Sequence, residues 1–496
     1  MRASRLTLLV LTTLGLGACK VGPNFIAPHE AVPDNYSGIA PAPETPGPSI
    51  SSEPASESFW WNQFHDADLD RIEERAGADN LDLKAAYLRL VEARLQVQSA
   101  RAQGLPNLNG KASYTREQLG LAGIVKSKGL ANGSTSPATQ ALITSLEQPV
   151  NIYQLGFDAS WELDLFGKVR RSVEAAEAES TGAAESSNDL RISLQSEVAQ
   201  TYLELRTAQS LRRLTLDLIG AQNDVADLTR NRQQHGLASE SDSASAQAQL
   251  STLRSQLPPY EQTIAASKHA LAILCGQTPE ALDAEFASPV ELPALPAAVP
   301  VGVPSTLARR RPDIRSSEAA LHAATAEVGV AVASMFPDIS LNGTLGLRNV
   351  STRYLFDWDS KFYTFGPNVS VPIFHGGALV ANVRLSRARA AEATLNYRKT
   401  VLTALGEVED GLTSLQEDAR RTASIRDALT ANQRALELSL ASYRHGLNSY
   451  IAVLTVQLQE MQTREQLVQA QLTQSVDLIK LYKALGGGWS DSAAPM

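Results

Sequence analysis

The chain has 496 residues, a formal net charge of −9 and 6% aromatic residues. Its length allows two or three ordinary domains, its composition favours extended helices, and its acidic balance argues against a nucleic-acid partner. Its two cysteines, Cys19 and Cys275, leave no intrachain disulfide once Cys19 is modified as argued next, and Cys275 reads as a small buried apolar residue.

Arg2 and Arg5 precede an apolar run from Leu6 to Leu16, and Leu16-Gly17-Ala18-Cys19 follows. That is the layout of a secretory signal over residues 1–18 ending in a lipoprotein cleavage site. The run is shorter than the roughly 20 apolar residues that cross a bilayer as a helix. Cys19 is predicted to be the first mature residue, carrying diacylglycerol on its sulfur and a fatty acyl group on its amine. More than one chain gives stable anchoring in lipid at ~0.8 kcal/mol per buried CH₂. Lys20, in place of an aspartate, points to the outer membrane as the destination. Residues 19–64 form a lipid-anchored extension.

Beyond it the same order of features occurs twice, an internal repeat covering residues 65–280 and 306–489. Gly104-Leu105-Pro106-Asn107-Leu108 answers to Met335-Phe336-Pro337-Asp338-Ile339, and Leu165-Phe166-Gly167 to Ile373-Phe374-His375-Gly376. His235-Gly236-Leu237 answers to His445-Gly446-Leu447, and Leu274-Cys275-Gly276 to Leu485-Gly486-Gly487. A linker over 281–305 holds Pro289, Pro293, Pro296, Pro300 and Pro304, too many prolines for a helix or a central strand. Residues 490–496 form a C-terminal tail.

Each copy reads helix, strand, loop, strand, very long helix, tight turn, helix. Leu108, Ala112 and Tyr114 alternate with polar residues, as do Tyr153, Leu155, Phe157, Ala159, Trp161 and Leu163. In the second copy Ile339, Leu341, Leu345 and Leu347 alternate, then Tyr363, Phe365, Val369, Val371 and Ile373. Roughly 9–11 residues of such alternation suits a membrane-spanning β-strand, apolar outward and polar toward a lumen. A half-buried sheet of a soluble domain is the plainer alternative, and Pro367 and Pro372 also fit an edge strand. Four strands cannot close a barrel, and an open edge in lipid leaves backbone groups unpaired. Several chains must then share one. Two would give a nearly plugged pore of about eight strands, so a homotrimer with twelve strands is expected. The loops from about Arg116 to Pro149 and from about Asn349 to Lys361 are expected to face outside.

From Lys168 to about Asn231 no proline interrupts an apolar spacing of three and four residues, which predicts a helix on the order of 95 Å long. Its counterpart runs from about Gly377 to Arg444. Each reverses at a His-Gly turn and returns as an antiparallel partner, with Pro258-Pro259 expected to bend the first return. Such hairpins cannot bury a core alone. They are expected to pack side by side as a long periplasmic α-helical barrel of antiparallel coiled-coil hairpins, continuing the β-barrel, so the fold class is mixed α and β.

Cys19-Lys20-Val21-Gly22-Pro23-Asn24-Phe25, Trp60-Trp61 with Phe64 and Asp66, Arg310-Arg311-Pro312-Asp313-Ile314-Arg315 with Glu318 before Phe336-Pro337, and Tyr482-Lys483-Ala484-Leu485-Gly486-Gly487-Gly488-Trp489 stand in this order along nearly the whole mature chain. In these residues the chain resembles the TolC-type outer-membrane factors, in their NodT-like lipoprotein branch. The resemblance implies a trimer docked by its hairpin tips onto a periplasmic adaptor (membrane fusion) protein, which links it to an inner-membrane pump. By this similarity the tips are His235, Gly236 and Leu237, and His445, Gly446 and Leu447. It also implies a periplasmic gate just beyond the second tip, at Ile451 and Thr455. Threonine stands where the family commonly has aspartate, a departure that bears on a cation-binding gate. Ser241 and Ser243 stand where apolar residues are usual.

The implied function is a passive exit duct for small molecules in a tripartite efflux system. The outer-membrane duct of a one-step protein or peptide secretion system is the alternative, and a lipid-anchored periplasmic scaffold without a pore is another. No enzyme is expected: the seven histidines are scattered, and no nucleophile–base pair or phosphate-cradling loop stands out. No cofactor is expected beyond the covalent lipid on Cys19. No metal is expected at the tip histidines, because no Cys-His or HExxH spacing accompanies them.

Overall fold

The computed structural model describes residues 20–28, 32–37, 47–51, 53, 59–118, 148–290 and 292–489. Cys19 and the signal before it, most of the first outer loop and the tail after Trp489 lie outside the described residues. In chain order the elements are β1 (Ser49–Ser51), α1 (Ala67–Asp79), α2 (Leu81–Ala102), β2 (Asn107–Glu117), β3 (Val150–Glu162) and α3 (Lys168–Gln234). Then come α4 (Glu240–Ser255), α5 (Leu257–Leu274), β4 (Ala298–Pro300), α6 (Pro304–Arg310) and α7 (Pro312–Ala333). The chain closes with β5 (Asp338–Asn349), β6 (Lys361–Ser370), α8 (Ala378–Arg444) and α9 (Tyr450–Ala484).

The chain divides into two compact units that cut across its sequence halves. The first takes the N-terminal residues to Ile26 with Arg94–Ala178 and His322–Glu392, and the second takes Ala27–Ala93, Glu179–Leu321 and the chain from Ala393 on. Among the described residues no helix is long and apolar enough to cross a membrane.

The first unit is organised by an antiparallel sheet in the order β2-β3-β5-β6. Its register sets Phe157 opposite both Gly110 and Leu345, and Leu345 opposite Tyr363, so the alternating apolar residues of all four strands share one face. The other face carries Asn109, Asp158, Thr344 and Thr364 in one row. Among the described residues β2 and β6 each have a neighbour on one side alone, and β6 tolerates Pro367 because a proline on an edge strand removes no inner hydrogen bond. The alternation beyond Ser370 does not continue as strand. Pro372 has no N–H to donate, and Val371, Ile373 and Phe374 follow the ladder as exposed residues.

The second unit holds the main core. Trp60, Trp61 and Phe64 are buried with Leu69, Ile72, Tyr202, Leu205, Phe286 and Tyr482, and the Trp60 ring stacks on Tyr482 at 5.3 Å. Asp66 caps α1 by accepting from the Asp68 and Leu69 amides. Its second oxygen accepts from the Tyr202 hydroxyl at 2.7 Å, tying the cap to the long helix. Cys275 is fully buried, and burial pushes its thiol up to about 11, the setting of an inert apolar filler.

One element was not expected from the sequence, and one expectation needs correction. A second sheet exists: β1 pairs in parallel with β4 inside the proline-rich linker. It has two strands, so each is an edge and the prolines do no harm. The first return does not merely bend. It breaks into α4 and α5 at Gln256, because Pro258 and Pro259 supply no N–H to continue the ladder and instead suit the first turn of a new helix.

Candidate functional site

Both long helices, α3 and α8, have 67 residues, on the order of 100 Å at 1.5 Å per residue. Each ends at the glycine the sequence singled out: Gly236 has φ +75° and Gly446 φ +76°, the left-handed conformation that closes a helix at little steric cost to glycine. Leu237 and Leu447 follow at 71% and 81% exposure, so each tip presents one uncovered aliphatic side chain. His235 Nδ1 lies 2.8 Å from the Asn231 carbonyl, a local contact on the same helix. After the first tip Ser239 forms a capping box with Asp242, which starts α4 and leaves Ser241 exposed. Behind the tips Tyr443 and Tyr450 pack with Ala226, Ala246 and Val453, and Gln222 donates to the Tyr450 hydroxyl at 3.1 Å.

Ile451 and Thr455 are one turn apart on α9 and share an exposed face; Ile451 is 61% exposed. The Thr455 hydroxyl donates to the Ile451 carbonyl at 2.9 Å, so its hydrogen is already committed to the helix. Val453, on the opposite side, is buried.

Arg311 makes a four-bond polar junction. Its Nε and Nη2 donate to the two Asp313 oxygens at 2.9 and 2.7 Å, and Nη1 donates to Glu407 at 2.6 Å and to the Ala484 carbonyl at 3.1 Å. A Cβ on Gly486 would lie 2.7 Å from the Arg310 carbonyl, while the Trp489 indole donates to that same carbonyl at 3.0 Å. The Arg-Arg-Pro-Asp run and the Gly-Gly-Gly-Trp run are therefore two halves of one joint. A comparable joint lies where α1 meets α2: Asn80 donates to the Leu274 carbonyl at 2.9 Å, and a Cβ on Gly276 would lie 2.6 Å from the Asp79 carbonyl.

A clamp that no motif announces lies at the start of α3. Arg171, buried in the first turn of that helix, donates to the carbonyls of Val21 and Gly22 at 3.2 and 3.3 Å, to Asn24 Oδ1 at 2.8 Å and to Glu174 at 2.9 Å. Lys20 and His322 also bond to Glu174, and Phe25 stacks on His322 at 4.3 Å. One signal was available: basic residues with no acid in the first turn of a helix oppose its dipole, so Arg171 needed another reason to be there. Burial would raise the Glu174 carboxyl, but the bonds from Lys20, His322 and Arg171 outweigh it and hold it down at about 2. A carboxyl held below its unfolded value, about 4.3 for Glu, stabilises the clamp above that value and loses the contribution as pH falls toward 2. Protection of the amides in residues 20–26, each rate taken against the intrinsic exchange rate at that pH, is expected to hold from pH 7 to about pH 5 and to fall below about pH 4; a fall near pH 6 would contradict it.

No group of three or more His, Cys, Asp or Glu side chains that could hold a metal occurs among the described residues.

The family described as outer membrane efflux protein matches residues 74–277 and 303–487. The chain is 31% identical over 485 residues to the antibiotic efflux pump outer membrane protein ArpC of Pseudomonas putida, covering 97% of this chain and 95% of that one. It is 30% identical over 490 residues to nodulation protein T of Rhizobium leguminosarum bv. viciae, covering 99% and 95%. The solved structure of the outer-membrane channel OprN superposes with a TM-score of 0.83 at 30% identity, over 95% of this chain and all (100%) of that one. The open-state MtrE outer membrane channel of Neisseria gonorrhoeae gives 0.77 at 26%, over 95% and 98%.

Proposed function

The chain belongs to the outer membrane efflux protein family and is an outer-membrane efflux channel protein; from that premise we propose that three copies share one twelve-stranded barrel and form a passive exit duct for small molecules. The observation that carries the trimer is the sheet itself. Among the described residues it has two open edges, β2 and β6, and one continuous exposed face of apolar side chains including Phe157, Leu345, Tyr363 and Phe365. In lipid an open edge costs several kcal/mol for each unpaired backbone group, so the edge of one chain is met by that of the next. The native mass of the detergent-extracted protein tests this. Three chains per particle is the expected result, and a stable monomer would overturn it.

The exposed leucines at the two tips are the docking points for a periplasmic adaptor protein, which connects the duct to an inner-membrane pump. Acylation of Cys19 with diacylglycerol and a fatty acyl group tethers each chain to the outer membrane. Three Ile451 side chains form the narrowest ring at the tip end of the duct, an apolar constriction of the kind that gates by excluding water. Ile451→Ala is expected to raise single-channel conductance severalfold in planar bilayers. Thr455→Asp, by adding a ring of carboxylates, is expected to make that conductance sensitive to divalent cations on the tip side. Unchanged conductance in both variants would remove the gate from this position.

A further inference from the structure

In the first unit a groove of about 700 Å³ opens beside Lys20, within the size range of pockets that hold ligands. Trp161, Leu163, Leu165, Val169 and Val173 supply its apolar lining, at the junction where β3 hands over to α3. The charges around it are matched: Lys20 with Glu174, Arg101 with Glu177, Arg170 with Asp164, and Lys168 with Glu162. The Trp161 indole N–H is spent on the Gly104 carbonyl at 2.9 Å. No unmatched charge invites an ion, so the groove suits a hydrocarbon.

Its position in the chain says which hydrocarbon. Lys20 lines the groove and is the residue after Cys19, and consecutive Cα atoms are about 3.8 Å apart. Lys20 is fixed there, since its ammonium bonds to Glu174, the Val21 amide donates to the Phe166 carbonyl at 3.3 Å, and Arg171 grips the carbonyls of Val21 and Gly22. A lipid on Cys19 would therefore start within one residue of a side chain that lines the groove. Any bilayer lipid offers an equally apolar chain, so burial alone does not choose between occupants. The difference is entropic: a free lipid gives up translational freedom to fill the groove, whereas a chain tethered at its edge has already done so.

We infer that this groove seats one acyl chain of the lipid on Cys19, so that the anchor is also a ligand bracing the strand-to-helix junction. The inference rests on the acylation proposed above. The clamp built on Arg171 and Glu174 then has a purpose: it aims the lipid-bearing end of the chain at its seat.

The test uses the full chain expressed in cells fed a palmitate analogue carrying a diazirine near its tail. Intact mass first establishes whether the mature chain starts at an acylated Cys19. Irradiation of the membranes, digestion and peptide mapping then locate the cross-links. Cross-links from the Cys19 lipid concentrated in residues 161–173, and lost to near background in Val173→Trp, which fills the groove without touching Cys19, are the expected result. An acylated Cys19 whose cross-links fall elsewhere overturns the inference and leaves the anchor standing. Cross-linking of 161–173 that persists undiminished in Cys19→Ser, exported by an ordinary cleavable signal, assigns the groove to free phospholipid and also overturns it. Absence of acylation on the wild-type chain removes the anchor and the inference together.

Discussion

Arg311→Ala is expected to destabilise the second unit by about 3 kcal/mol, at the low end of the range for removing one partner of a buried ion pair. The cost is not the sum of the lost bonds. Asp313 and the Ala484 carbonyl at the end of α9 would lose their donor together, and a carbonyl left without a partner costs about 1–3 kcal/mol more than one exposed to water. Glu407 is half exposed and can be rehydrated, which is why the low end applies. Arg311→Lys keeps the charge but not the paired Nε and Nη2 contacts to Asp313, so it should recover only part of the loss. Thermal unfolding of the detergent-solubilised protein, with Asp313→Asn completing a double-mutant cycle, reads both effects. A loss below about 1 kcal/mol would show that the joint is held by the close approach of Gly486 to Arg310 rather than by the guanidinium.

That joint also marks the boundary of what the sequence could reveal. The Arg-Arg-Pro-Asp run and the closing Gly-Gly-Gly-Trp run were both conspicuous, yet nothing local says that one docks on the other, because the contact joins Arg310 to Trp489 across most of the second half of the chain. Strands and helices were legible for the opposite reason. Alternation with period two and proline-free spacing of three and four are properties of a few consecutive residues, and so were the His-Gly reversals. The parallel pairing of Ser49–Ser51 with Ala298–Pro300 escaped notice, since three residues carry no period and their partner is remote. The Arg171 clamp was half visible, as basic side chains at the wrong end of a helix dipole, but its partners Val21, Gly22 and Asn24 come from a segment that reads as loop. The alternation marked four strands but not their neighbours. The pairing of β3 with β5, which turns two hairpins into one sheet, is again a nonlocal fact.

The sheet's two faces give the second large effect. Leu345 and Thr344 are adjacent in β5 and point to opposite sides, Leu345 toward the row with Phe157 and Tyr363 and Thr344 toward the row with Asp158 and Thr364. If the apolar row meets lipid, Leu345→Arg places a guanidinium near the middle of the strand against hydrocarbon, at a cost of about 2–4 kcal/mol in each chain. Thr344→Arg puts the same group beside Asp158 in the water-filled lumen, where it should be tolerated within about 0.5 kcal/mol. Because each barrel contains the substitution three times in a trimer, Leu345→Arg should lower assembly far more than the single-chain figure suggests, while Thr344→Arg should leave assembly intact and shift ion selectivity toward anions. Heat-resistant oligomer on gels and urea unfolding in lipid vesicles report the first, and reversal potentials in planar bilayers report the second. Equal damage from both would mean that the two faces see the same surroundings, which neither a barrel wall nor a half-buried sheet allows; a half-buried sheet of a soluble domain would share the asymmetry in stability, so it is the shift in reversal potential with Thr344→Arg that ties the alternation first read in the sequence to lipid on one side and a conducting lumen on the other.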